Sequence, residues 1–476
     1  MTTSDLYGWW WILGTAMGCG GGSSDGGTAP GIPPAESSSG GGPRATTGLT
    51  DSTDGPSSGA SDSATPTTAD EPSGTETGEG DPAGCVHASP LISSACLDDE
   101  ESSLPIPCGE EITLLAIAAY ESDLPVPDAT QRQVAAYLNE PGFEGGWSTA
   151  ERLAELTGER VKVNFVTEFV QLPRTRAEYE AGANVDWHAD AVRALIDRGF
   201  DFGQLSTTAD GTYYPLFSIA VGDFWSTPHA GFWLDVEGRQ FEGYLLTYYE
   251  PGYDVGVITH EFGHALFRWG EYYGQSPNGG VGDWGIMATG FASPYNPFLR
   301  QCKGWTPVLD IHDVYSPGTR IELPADGSLI LRFRTPERPN EYFLIEARQQ
   351  SDRFPDLPDE GILIWHVDEA MPYQLSGLDA DSHNRVSLEQ ADGLFGIETE
   401  QFDYGGPTDA FRADSAPTFG ATTTPSSAWW DGSPSGLELS EMSEVGPRMS
   451  FVLGPPGSAN GDVVTLEPCP SEPCGR

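Results

Sequence analysis

Basic residues are scarce in this chain. It has 23 Lys and Arg against 71 Asp and Glu in 476 residues, a net charge of −48, and only two of the 23 are Lys (Lys162 and Lys303). A polyanion of this density is not built to hold nucleic acid or an acidic lipid surface by electrostatics. A bilayer-spanning run is missing as well, because the apolar segment Leu6–Gly18 (LYGWWWILGTAMG) is too short. There is no P-loop, no dinucleotide fingerprint and, in residues 85–476, no GxSxG, so nucleotide and serine-hydrolase readings have no support. No CxxC pair is present, which argues against a cysteine zinc site.

What the chain does have divides it into segments. Leu6–Gly18 followed by Cys19 reads as a signal peptide over 1–19. The step Ala16-Met17-Gly18-Cys19 is similar to a bacterial lipoprotein cleavage site, although MTTSD carries Asp5 and no basic residue. Residues 20–84 are Gly, Ser, Thr, Pro and Asp with almost no large apolar residue, a composition that cannot offset the entropy of ordering. We read them as a disordered stalk holding the globule off the membrane to which a lipid on Cys19 would anchor it. That stalk carries ten acidic residues against Arg44, so most of the negative charge lies in the globule; calcium-binding carboxylate clusters are one reading of it and a solvated acidic surface the other. The remaining cysteines, Cys85, Cys96, Cys108, Cys302, Cys469 and Cys474, are even in number after an export signal and suggest disulfides.

Periodicity sets the expected fold class: α+β, a domain of mixed sheet plus helices (85–315) followed by a β-rich domain (316–455) and a tail (456–476) with a Cys pair. Ile112–Tyr120 and Ser218–Gly222 read as buried strands, Thr149–Leu156 and Val185–Arg198 as helices, and Val161–Val166 as a strand. The clearest helix is Val255–Trp269, where Ile258, Phe262, Ala265, Leu266 and Trp269 form one stripe. Beyond residue 316 the pattern turns to strands at Ser328–Phe333, Glu341–Ala347, Gly361–Val367, Arg385–Gln390 and Met449–Leu453.

On that helix sits His260-Glu261-Phe262-Gly263-His264. Histidines four apart share a helix face, so both can reach one ion. Zn²⁺ suits them because it keeps an open position for water, and Glu261 can take the proton from that water. For a third ligand the first choice is Glu271, just after the helix-breaking Gly270, with Asp283 or a tyrosine-plus-water arrangement as alternatives. Tyr272 or Tyr273 is a candidate to stabilise an oxyanion, with packing as the commoner role. His366 and Asp368 read as structural.

Met287, 23 residues beyond His264 in a Gly-flanked turn, resembles the Met-turn of metzincin-like peptidases. The motifs ITHEFGHAL, GEYY, GDWGIMATG, CKGW, EYFLIEARQ, GILIWHVDE, VSLEQADG and TPSSAWWDG, spread over residues 110–455, together resemble the immune inhibitor A family of secreted bacterial zinc metallopeptidases. The resemblance implies an endopeptidase acting on protein or peptide substrates, with 85–315 a zincin-like metallopeptidase domain (mixed sheet plus active-site helix). It implies zinc on His260 and His264, Glu261 as acid/base, Met287 as the Met-turn methionine and Ca²⁺ as a structural ion. The chain departs from the family at Phe267-Arg268-Trp269-Gly270-Glu271, where many members have a Gly and then a Pro-Asp step. It departs also at 200–213, less rich in Asp, which bears on any calcium site at Asp201 or Asp210. The leading expectation is an extracellular or surface-anchored monomeric zinc endopeptidase. The alternatives are a surface lipoprotein whose protease-like fold only binds partners, or a zinc hydrolase acting on other amides or on glycoprotein.

Overall fold

The computed structural model describes residue 86 and residues 109–125, 131–182, 184–221, 229–249, 255–273, 279–312, 315–371, 383–400 and 403–469. The expected signal segment with Cys19, the stalk, and Cys85, Cys96, Cys108 and Cys474 lie outside the described residues. Two compact units divide the chain, Met1–Glu79 and Gly80–Arg476, and every described residue belongs to the second.

The first sheet is mixed, in the order β2-β1-β3-β5-β4. Its strands are β1 (Glu111–Tyr120), β2 (Lys162–Gln171), β3 (Leu216–Val221), β4 (His229–Val236) and β5 (Arg239–Tyr249). β1, β2, β3 and β5 run parallel, and β4 closes the edge antiparallel to β5. β1 shows why this sheet is central. Ile112, Leu114, Ala116 and Ala118 point into one core and Leu115, Ile117 and Ala119 into another, so its unbroken apolar run is buried on both faces. The first core also takes α1 (Gln131–Asn139), α2 (Thr149–Leu156) and α5 (Gly256–Phe267). The second takes α3 (Arg176–Glu180) and α4 (Asn184–Asp197). Helices α2 and α3 both start with a capping box, Ser148 with Glu151 and Thr175 with Glu178.

After α6 (Pro297–Cys302), the chain builds β6 (Val308–Asp310), β7 (Arg320–Pro324), β8 (Ile330–Phe333), β9 (Glu341–Arg348), β10 (Gly361–Asp368) and β11 (Val386–Leu388). Then come α7 (Gly396–Thr399), β12 (Leu439–Ser440), β13 (Arg448–Leu453) and β14 (Val463–Thr465). They form a five-stranded sheet, β11-β10-β9-β8-β6, and a four-stranded one, β12-β13-β7-β14. Alternation along β9 divides its side chains. Phe343, Ile345 and Ala347 join the core between the two sheets, while Tyr342 and Leu344 join the core that contains α5. The expected boundary at 315/316 therefore crosses a shared hydrophobic core, and β14 brings the expected tail into the last sheet.

The class is thus mixed α/β with several mixed sheets and few helices. Two readings need correction. The helix expected over Val255–Trp269 ends at Phe267, because Arg268 turns to φ 59 one residue later; the stop comes from a left-handed Arg, ahead of Gly270. The strand expected over Val161–Val166 runs on to Gln171, paired with β1 along its whole length. Among the described residues no helix is long and apolar enough to cross a membrane.

Candidate metal centre

Helix α5 is buried almost throughout, and it carries His260, Glu261 and His264 beneath the first sheet. The left-handed turn at Arg268 reverses the chain and brings Glu271 back to the helix. His264 Nε2 lies 3.1 Å from His260 Nε2 and 3.1 Å from Glu271 Oε1, and His260 Nε2 lies 3.2 Å from Glu271 Oε2. Among the described residues this is the only set of three His, Cys, Asp or Glu whose ligand atoms gather this closely.

The opposite ring nitrogens are spoken for. His260 Nδ1 is 2.6 Å from the Ile286 carbonyl, and His264 Nδ1 is 2.6 Å from the Trp269 carbonyl. A carbonyl can only accept, so each Nδ1 carries the proton and each Nε2 offers a lone pair to the centre when the ring is neutral. Two such nitrogens 3.1 Å apart repel unless a proton or a metal ion lies between them. Ligand atoms of a tetrahedral zinc with bonds of ordinary length sit about 3.3 Å apart. The donor set therefore fits a divalent zinc-type ion.

Charge within the cluster follows from proximity. Burial opposes the imidazolium of His264, but the Glu271 hydrogen bond and charge, together with Glu261 and the Trp269 carbonyl, outweigh it and raise its pKa to about 9. Burial likewise opposes the Glu271 carboxylate, yet its hydrogen bonds to the two histidines hold it well below the usual carboxylate range. Glu261 is raised above its ordinary value by burial, against the pull of both histidines. Its Oε2 is buried without a hydrogen-bond partner. An uncompensated buried carboxylate oxygen is costly and is what a site reserves for a ligand or a mobile proton.

Met287 underlies the centre. A Cβ built on Gly263 would fall 2.1 Å from Met287 Sδ, so only glycine lets the helix rest on this methionine. The Met287 carbonyl accepts from Tyr272 N at 2.7 Å, tying the turn to the stretch of chain that bears Glu271. Tyr272 itself is buried in the core, whereas Tyr273 donates its hydroxyl to Glu271 Oε1 at 2.6 Å and lies parallel to His260, ring centroids 6.1 Å apart.

The structure thus brings His260, His264, Glu261, Glu271, Tyr273 and Met287 together and turns Tyr272 into the core. Asp283, the alternative ligand, belongs to the Met287 turn, where burial pushes it up to about 6 against a Thr289 hydrogen bond. Asp201 and Asp210 are occupied by local turns: Asp201 accepts from Gly203 N, and Asp210 from Thr208 and Thr212. His366 sits buried between Glu341 and Glu389, and Asp368 pairs with His383. Cys302 and Cys469 are disulfide-bonded. The residues that sequence reasoning missed are Ile286 and Trp269, whose contribution is a main-chain carbonyl that any side chain could supply. No protein-family model matches the chain, and no curated protein matches it either.

Proposed function

We propose that this chain is a zinc endopeptidase of zincin-like architecture, exported to the cell surface or beyond and akin to the immune inhibitor A family, hydrolysing peptide bonds of extracellular proteins. The observation that carries the reading is the convergence of His260 Nε2, His264 Nε2 and the Glu271 carboxylate with both Nδ1 atoms already committed. The disulfides at Cys302 and Cys469 support an oxidising compartment. The strongly acidic composition speaks against nucleic acid as a partner and is compatible with Ca²⁺ as a structural ion.

His260, His264 and Glu271 would hold the zinc, which when bound supplies Lewis acidity toward a substrate carbonyl and lowers the pKa of water. The rest is done by the chain. Glu261, one residue from His260 on the helix and with a free carboxylate oxygen, takes the proton of the attacking water and returns it to the leaving amine nitrogen. Burial of its carboxyl keeps bulk water from competing for that proton. The Ile286 and Trp269 carbonyls fix the ring orientation of the two histidines, and Tyr273 fixes the Glu271 carboxylate.

The test is the zinc content of the purified protein, with casein hydrolysis followed before chelation, after it, and after zinc is restored. One zinc per chain with activity lost and regained is the expected result. Glu261→Gln should keep the metal and lose at least about 10²-fold in rate. A chain that takes up no zinc, or a Glu261→Gln variant that hydrolyses casein normally, sinks the reading.

A further inference from the structure

The carbonyl that orients His260 belongs to a turn that is braced from the β-rich part. Residues 282–290 close on themselves through Thr289 N to the Gly282 carbonyl and Gly290 N to the Gly285 carbonyl. Outside this turn, Asp283 N donates to the Tyr404 carbonyl at 2.6 Å. The indole of Trp284, almost fully buried, meets the backbone of Gly405. Its Nε1 also lies 3.4 Å from Asp409 Oδ2, which in addition accepts from Gly406 N at 2.7 Å. One strand further back, Leu388 N donates to the Gly280 carbonyl at 2.8 Å. Ile286, whose carbonyl accepts the hydrogen bond from His260 Nδ1, is two residues from Trp284.

We propose that the 403–409 loop of the β-rich part is a positioning element of the metal centre: Gly405 and Asp409 fix the Trp284 indole and so hold the Ile286 carbonyl against His260. This deepens the zinc reading and rests on it. Among the described residues no hydrogen bond joins this loop to His260, His264 or Glu271. The loop acts through the turn, so its loss shows as a looser centre in a folded protein. Two features give it this role. Trp284 is clamped between the Gly405 backbone and Asp409, and the main-chain N–H of Asp283 beside it is satisfied by Tyr404 of the same loop.

Adjacent glycines provide the test. At Gly405 φ is +112 and a Cβ would fall 2.8 Å from Trp284 Nε1, so Gly405→Ala must displace the indole. At Gly406 a Cβ would meet nothing within 4 Å, so Gly406→Ala serves as the control on the same loop. Zinc affinity is read by competition with a chromophoric chelator, and the Co²⁺-substituted proteins are compared by visible absorption. Gly405→Ala should bind zinc about 10- to 100-fold more weakly, the usual loss when a ligand's supporting shell is disturbed, with a shifted Co²⁺ spectrum and an unchanged far-UV spectrum. Gly406→Ala should match the parent within about twofold. Should Gly405→Ala not fold, Trp284→Phe, which removes the indole N–H and keeps an aromatic ring, is expected to weaken zinc in the same direction and to shift the Co²⁺ bands. Parental zinc affinity and Co²⁺ spectrum in folded Gly405→Ala, or in Trp284→Phe if that is the variant that folds, overturn the proposal while leaving the zinc site standing. A parent protein that binds no metal overturns the zinc reading and this proposal together.

Discussion

The imidazoles of His260 and His264 each give their Nδ1 proton to a main-chain carbonyl at 2.6 Å, but the two carbonyls are braced by different materials. Behind Ile286 stands a polar, titratable wall: Asp283 in the turn itself, Asp409 beside Trp284, and Glu398 near Asp409, the second buried and the other two partly so. Behind Trp269 stands an aromatic box. Trp269 packs on Phe267 at 4.8 Å and on Trp305 at 5.4 Å, Tyr295 packs on Trp269 at 4.8 Å, and the Lys303 ammonium lies over Phe267 and Trp269. Identical hydrogen bonds at the centre can therefore be supported by charge on one side and by volume on the other. The two sides should fail under different insults.

The largest expected effect lies on the aromatic side. Tyr295 is held by Arg300, whose Nε donates to the Tyr295 carbonyl at 2.8 Å, and Arg300 is buried against Glu346, which also takes Arg348. Burial lowers the Arg300 pKa to about 10 even with Glu346 beside it, a sign of how little solvent reaches the pair. Glu346→Ala leaves two buried guanidiniums without their carboxylate and should cost about 3–5 kcal/mol of stability. Urea unfolding of the zinc-loaded protein measures it. A loss under about 1 kcal/mol would mean that the aromatic box does not depend on this anchor.

A smaller effect, and one confined to the polar side, is the response to pH. Burial pushes Asp409 and Asp283 up to about 6 and Glu398 up to about 7, above the ordinary carboxyl value near 4 that the unfolded chain keeps. With folded pKa values raised, the unfolded state binds fewer protons between about pH 4 and 7. The stability these groups contribute is present below about pH 4 and is lost as pH rises through 6 to 7. His366 adds to the same trend: burial opposes its charge, but Glu341 and Glu389 raise its pKa, so its contribution fades above its ordinary value. Groups such as Glu341 and Asp368, whose carboxylates are held below the usual range, act in the opposite sense: their contribution is present above about pH 4 and is lost as pH falls below it. Asp409→Asn, neutral at every pH, should lose on the order of 2 °C less in melting temperature between pH 5 and 8 than the parent. An identical slope in the two proteins would show that Asp409 is not buried against the turn in the way described.

How far the sequence exposed these two supports depends on what each is made of. That the HExxH histidines and Glu271 gather at one point was legible in the sequence, because the types of residue able to ligate a metal are few and helical spacing restricts position. The buried run of β1 and the strands β9 and β10 were equally plain, since burial on both faces leaves no polar alternation to confuse. The hairpin β4–β5 has a weaker signal, Glu237 and Gly238, which both sit at positive φ and form a two-residue turn between the strands. The Ile286 and Trp269 carbonyls left no signal at all, because a main-chain acceptor is independent of the side chain above it. The shared core was hidden for a related reason. Alternation along β9 says that both faces are apolar, but not which neighbour each face meets.

The smallest expected effect falls on Glu271, the carboxylate that both histidines share. Tyr273 donates to Glu271 Oε1 at 2.6 Å, and burial together with Glu271 raises its pKa, so the hydroxyl stays protonated and remains a donor. If its task is to aim the carboxylate, Tyr273→Phe removes one charge-assisted hydrogen bond and should weaken zinc binding about 10-fold while KM is unchanged at saturating metal. If its task is to receive developing negative charge on the substrate, zinc affinity stays at the parental value and kcat falls by about 10². The ring stacked on His260 is retained by Phe in either case, so packing is a constant in the comparison. With the hydroxyl already engaged by Glu271, the first outcome is the one expected. A parental zinc affinity combined with a kcat deficit would move Tyr273 from the ligand's support to the reaction itself.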